Sequence, residues 1–190
     1  MKKMLAMLLA LVMVLSLAAC ASTQPAAEPA ASSDAPAESG KTYTVGVCQL
    51  VQHEALDAAT QGFVDALKEA LGDAVTIDVQ NASGDSVNCG TIVNGFVAKG
   101  VDLIMANATP ALTAAVSATA DIPILGTSIT AYGVALDIDD FNGTVGGNVS
   151  GTSDLADLQK QAQMILDWFP ETKTVGLLFC SAEPNSRYQI

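Results

Sequence analysis

The chain has 190 residues, 50% of them hydrophobic, with 8 basic and 20 acidic side chains and a formal charge of −12. That length allows one full domain, or one and a fraction, with its own core. The charge argues against a nucleic-acid partner, because no basic surface is present to neutralise phosphates. A single His and 5% aromatic residues leave little material for an imidazole metal cluster or a base-stacking platform.

Lys2 and Lys3 head an uncharged apolar run over residues 4–17. A spanning helix needs roughly 20 apolar residues, so the run has the length of a secretory leader. It ends in Leu17-Ala18-Ala19-Cys20, which resembles the lipobox of bacterial lipoproteins. That resemblance implies cleavage after residue 19 and a lipid on the Cys20 sulfur. The alternative is an ordinary secretory leader with a chance Cys at its end. Two acyl chains anchor a protein stably where one does not. Residues 20–40 then form the lipidated Cys and an Ala-, Ser- and Pro-rich stretch with no apolar period. It cannot bury enough surface to offset its ordering entropy and reads as a flexible tether.

The folded part begins at Lys41. Residues 42–48 read as a β-branched strand. Residues 54–71 place Leu56, Ala59, Phe63, Leu67 and Ala70 at helical steps, and Gly72 suits the helix end. A strand over 74–79 follows, then a helix capped by Asp85 with Cys89, Ile92, Val93 and Phe96 inward, ended by Gly100. A third strand spans 101–106. Thr109 is the predicted N-cap of a short helix with Pro110 at its first position. Residues 122–126 are a fourth strand. Such alternation predicts a parallel, Rossmann-like α/β sheet clad in helices, with ligands bound on the loops beyond the carboxyl ends of its strands.

Those loops nominate candidate residues. Gln49 and His53 follow the first strand, and Asn81 follows the second. His53 could equally be a helix-start residue that satisfies local backbone groups. The Thr109-Pro110-Ala111 turn offers helix N-terminal amides that favour a carboxylate. Plain N-capping is the alternative there. Ser128 and Thr130 follow the fourth strand, and Tyr132 supplies either a stacking face or hinge packing.

Beyond the fourth strand, residues 129–151 turn Gly-, Asn- and Asp-rich and read as a hinge or crossover. An amphipathic helix over 154–169 and a strand over 174–179 would open a second lobe from residue 152. A strand and a helix cannot make a core alone, so that lobe is expected to be mostly missing from residues 152–190.

Besides Cys20, three cysteines remain, an odd number with no C-x-x-C spacing: Cys48, Cys89 and Cys180. They read as inert core thiols. Four Asn-x-Ser/Thr matches are discounted as a cheap pattern. Asp137, Asp139 and Asp140 lack the Gly and distal Glu of an EF-hand loop. Neither a G-x-G-x-x-G nor a P-loop is present, and no cofactor or metal is expected.

In one order the chain carries the lipobox, the tether, V-G-V-C-Q-L-V-Q-H-E-A-L-D, A-N-A-T-P-A, G-G-N-V-S-G-T-S-D and E-P-N-S-x-x-Q. Together these resemble the substrate-binding lipoproteins of ABC transporters of the tryptophan/tyrosine type, which have a type I periplasmic-binding-protein fold. The resemblance implies two lobes that close about a hinge on a ligand and deliver it to a membrane permease. It implies that the Thr109 loop contacts ligand, and that Asn185-Ser186 matches a pair facing the cleft from the second lobe. Family members often carry a Thr-Asp-Pro-like segment where this chain has Thr130-Ala131-Tyr132, so a natural partner for a ligand ammonium is absent.

Three functions follow from these readings. The first is an extracytoplasmic, lipid-anchored receptor of an ABC importer for a small amino-acid-like ligand. The second is a sensor of the same fold that docks on a membrane signalling protein. An enzyme is the third, and no nucleophile–base pair or metal motif supports it.

Overall fold

The computed structural model describes residues 40–190. The leader, the lipidated Cys20 and nearly all of the tether lie outside the described residues.

Five strands form one sheet: β1 (Tyr43–Gln49), β2 (Val75–Asn81), β3 (Leu103–Asn107), β4 (Ile124–Ile129) and β5 (Val149–Ser153). Their order is β2-β1-β3-β4-β5, and every ladder is parallel. Helices α1 (Glu54–Leu71), α2 (Ser86–Lys99) and α3 (Thr109–Ala118) form the crossovers between the first four strands. The expected α/β class is therefore the observed one. Parallel sheets are stable when both faces are covered, and here the covers differ. Toward α2 and α3 lies the larger core, which includes Phe96, Ile104, Leu112 and Ile124, each fully buried. Toward α1 lies a smaller cluster of Val45, Val47 and Met105, backed by Phe63 and Leu67.

Gly46 sits where β1 crosses the Phe96 ring, and a Cβ there would come within 2.5 Å of it. Residue type and packing are thus linked: only glycine lets α2 approach the strand so closely. Asp85 caps α2 as expected, its carboxylate accepting from Val87 N at 2.7 Å. Gly100 takes the left-handed conformation that ends the helix.

Four features depart from the sequence reading. The N-cap of α3 is Ala108, at φ 88°, and Thr109 is already helical. β3 leads into the helix with one residue between them, so the reversal falls on Ala108, whose N–H donates to Thr127 O at 3.0 Å. Second, the stretch read as hinge contains a short helix α4 (Tyr132–Ala135) and most of β5, which pairs with β4 and so belongs to this sheet. Third, the helix read over 154–169 is α5 (Leu158–Trp168), which starts later behind its cap Asp157 and, as expected of a part without its own core, buries no residue. Fourth, residues 174–179 have no ladder partner and are not a strand, and Leu178 is fully exposed. A strand is defined by its pairing, and among the described residues no neighbouring strand stands beside this one. The chain ends in the five-residue α6 (Pro184–Tyr188), which packs against α4. Among the described residues no helix is long and apolar enough to cross a membrane.

Candidate functional site

Sheet order decides where a crevice opens. β1 leads outward to β2 on one side, while β3, β4 and β5 run outward on the other, so the reversal lies between β1 and β3. Loops beyond the carboxyl ends of these two strands diverge there, which is where ligands enter such sheets.

The floor of this edge is a buried polar relay. Asn107, at the end of β3 and fully buried, donates from Nδ2 to Leu56 O at 2.8 Å and to Thr60 Oγ1 at 2.9 Å. Thr60 Oγ1 in turn donates to Gln49 Oε1 at 2.7 Å. Gln49 Nε2 then donates to Asp57 Oδ1 at 2.5 Å and to Val51 O at 2.8 Å. The relay ties β1, β3 and α1 together and leaves Asn107 Oδ1 buried without a partner. An unsatisfied buried acceptor costs about 1–3 kcal/mol, a cost that the rest of the relay and the surrounding core offset.

Backbone strain gathers at the same edge. Five non-glycine residues among those described have positive φ, and three of them, Ser83, Ala108 and Ser128, lie at the carboxyl ends of β2, β3 and β4. Ala108, at φ 88° and ψ 157°, is in a region nearly reserved for glycine. Such strain persists only where the surroundings over-determine it, and it concentrates at ligand-binding turns.

The candidate residues occupy this edge but not one hollow. Gln49 and Asn81 line an indentation of about 290 Å³ with Gln52, Asp57 and Thr60. Gln49 is nevertheless engaged inside the lobe, and Asn81 Oδ1 accepts from Ser83 N at 2.8 Å in a local turn. His53 is the N-cap of α1, its Nδ1 accepting from Ala55 N at 3.2 Å. Thr109 and Pro110 border a groove of about 470 Å³ that also touches Asn94, Ser117 and Pro184. Ala111, one residue further on, is fully buried. Thr130 and Tyr132 line a third hollow, of about 650 Å³, with Asp137, Phe141, Ser153 and Tyr188. Ser128 contributes to none of these three. Asn185 and Ser186 sit on α6, and Asn185 Oδ1 is the second buried oxygen without a partner.

Tyr132 lines the third hollow and is also tied into the β4–β5 seam. Its hydroxyl donates to Gly126 O at 3.0 Å and lies 3.3 Å from Thr152 O, locking β4 to β5. A Cβ on Gly126 or Gly151 would strike that hydroxyl. Burial pushes the phenol up to about 12. The sequence reading missed Asn107, the hub of the relay. Its signal was visible, a polar amide ending an otherwise apolar strand L-I-M-A-N.

Fold and edge define a class: an α/β lobe of a periplasmic-binding-protein type, with polar, strained loops at the carboxyl edge of a parallel sheet. The chain belongs to the family described as ABC transporter substrate binding protein, which matches residues 44–190. It is 37% identical over 159 residues to the tyrosine-binding protein of Clostridioides difficile (strain R20291), covering 80% of this chain and 45% of that one. Among solved structures it is similar to an ABC domain in complex with L-Trp from Streptococcus pneumoniae, at 37% identity and a TM-score of 0.73, covering 78% of this chain and 51% of that one. The ligand-free, open structure of a Clostridium difficile substrate-binding protein with adhesive properties matches with 38% identity, the same coverage and a TM-score of 0.62. The chain thus spans about half the length of the relatives it matches. The resemblance seen in motif order is borne out at the level of family.

Proposed function

We propose that this chain is the ligand-capturing lobe of an extracytoplasmic receptor for an ABC importer, anchored through a lipid on Cys20, that takes a small amino-acid-like ligand and hands it to a permease. The observation that carries this reading is the carboxyl edge itself. There the unpartnered Asn107 oxygen, the strained Ala108 and the start of α3 meet within three consecutive residues. A helix start favours a carboxylate, and strained turns such as the one ahead of it gather where ligands bind. A carboxylate site of this kind suits an amino acid. The tyrosine and tryptophan associated with the relatives support an aromatic side chain. Thr130 and Asn185-Ser186 are proposed to hold the ligand from the hinge and from the second lobe.

Full-length protein extracted from membranes tests the reading. Its intact mass should show acylated Cys20, and calorimetry should show saturable heat with L-tyrosine or L-tryptophan. Thr109→Val should weaken that binding by about tenfold, near 1.4 kcal/mol. Absence of heat with every aromatic and branched-chain amino acid would overturn the ligand class.

A further inference from the structure

Cys48 and Cys89 are distant in sequence and adjacent in space. Cys48 lies near the end of β1, on the side of the sheet that faces α2, and Cys89 lies in the first turn of α2. Both are fully buried in the larger core cluster with Leu50, Ala82 and Val93. Cys89 beside it, together with burial, pushes the Cys48 thiol far up from its ordinary value, and both are free thiols in this structure. Cys180, by contrast, is exposed and far along the chain. An odd set of three thiols therefore resolves into one buried couple and one exposed singleton.

We propose that Cys48 and Cys89 close as an intrachain disulfide when the chain folds in an oxidising compartment, bracing the loops that follow β1 and β2. This rests on the extracytoplasmic reading above, because cytosolic thiols are kept reduced. The same two loops are already lashed together just above the pair. Ala82 N donates to Gln49 O at 2.9 Å, and Gly84 N donates to Leu50 O at 2.8 Å. A covalent bond beneath those two hydrogen bonds would fix one wall of the crevice.

The oxidant is a small or protein disulfide. One cysteine thiolate attacks it, forming a mixed disulfide and expelling one thiolate. The second cysteine then attacks the mixed disulfide and expels the other. Two S–H bonds are lost and one S–S bond forms, while two electrons and two protons pass to the oxidant, which leaves as two thiols. Since neither sulfur is exposed in the folded lobe, the exchange must precede the packing of α2 onto β1.

The test refolds the full-length chain in a buffer of oxidised and reduced glutathione, quenches with acid, unfolds it and alkylates the free thiols. A peptide map should show Cys48 joined to Cys89 and Cys180 alkylated. Reduction should lower the melting temperature by on the order of 10 °C, as expected for a closed loop of about forty residues in a domain of this size. Alkylation of both Cys48 and Cys89 after this refolding would overturn the pairing. The same map on protein taken from its own cells separates the two claims. A bond formed on refolding but absent from the cellular protein would support the pairing and count against the compartment.

Discussion

Helix α1 lays Phe63, Val64 and Leu67 against the sheet, whereas α5, with Leu158, Ala162, Ile165 and Leu166 at equally regular steps, buries nothing. Both helices have good starts: His53 caps α1, and Asp157 caps α5 by accepting from Lys160 N at 3.0 Å. The difference lies in what stands opposite. Between β1 and β2, α1 crosses a sheet that presents Val45, Val47 and Met105. Among the described residues nothing comparable faces α5, and Trp168 and Phe169 beyond its apolar side are 75% and 66% exposed. Periodicity and capping thus specify that a helix forms and which side is apolar, while burial also requires a partner surface.

The largest expected effect sharpens that contrast. Phe96→Ala should destabilise the lobe by about 3–5 kcal/mol in urea unfolding, since a fully buried ring leaves a cavity under β1. Trp168→Ala should change stability by less than about 0.5 kcal/mol, because surface substitutions away from special contacts do little. A Trp168 loss as large as that of Phe96 would mean that α5 is covered in solution, and the comparison would break.

A middle-sized effect concerns the relay. Asn107→Ala should cost about 1–3 kcal/mol, because Thr60 and Leu56 each lose their Nδ2 donor in a buried setting. Unchanged urea midpoints would show that the relay is not holding α1 to β3.

The smallest effect depends on pH. Burial raises the Tyr132 phenol from 10.0 to about 12, so the folded state holds its proton more tightly than the unfolded chain does. The stability this provides is complete below pH 10 and is lost as pH rises through about 12. Tyr132→Phe should cost about 1 kcal/mol at neutral pH through the lost hydroxyl contacts and should flatten that alkaline decline. An identical decline in the variant would assign the titration to another group.

Much of the lobe is legible in the chain because its signals are local. β-branched runs, Asp85 before α2 and Gly100 after it each act through neighbouring residues, and the first four strands and three helices follow. β5 was hidden because V-S-G-T-S has one apolar residue, as an edge strand with an exposed flank requires little more. The unpaired 174–179 segment is the converse case, strand-like in composition with no ladder beside it. At the site, chain order pointed to the right loops, but side-chain commitments were invisible. Gln49 is occupied by Thr60 and Asp57, and Asn107 acquires its importance only when β3 is set beside α1. Cys48 and Cys89 were likewise separated by sequence and joined by the crossover.

β1 is the first of the described strands and nonetheless sits inside the sheet, with Val45 paired to Ile77 on one side and to Leu103 on the other. A chain that emerges from its N-terminal end therefore presents an apolar strand well before either neighbour exists. Parallel pairing across such separations is slow, and unpaired strand edges attract other chains. Assembly of the lobe is consequently paced by the arrival of β3. Until then T-V-G-V-C is the segment most in need of a holding partner, and folding yield should depend on how fast the rest of the lobe follows it.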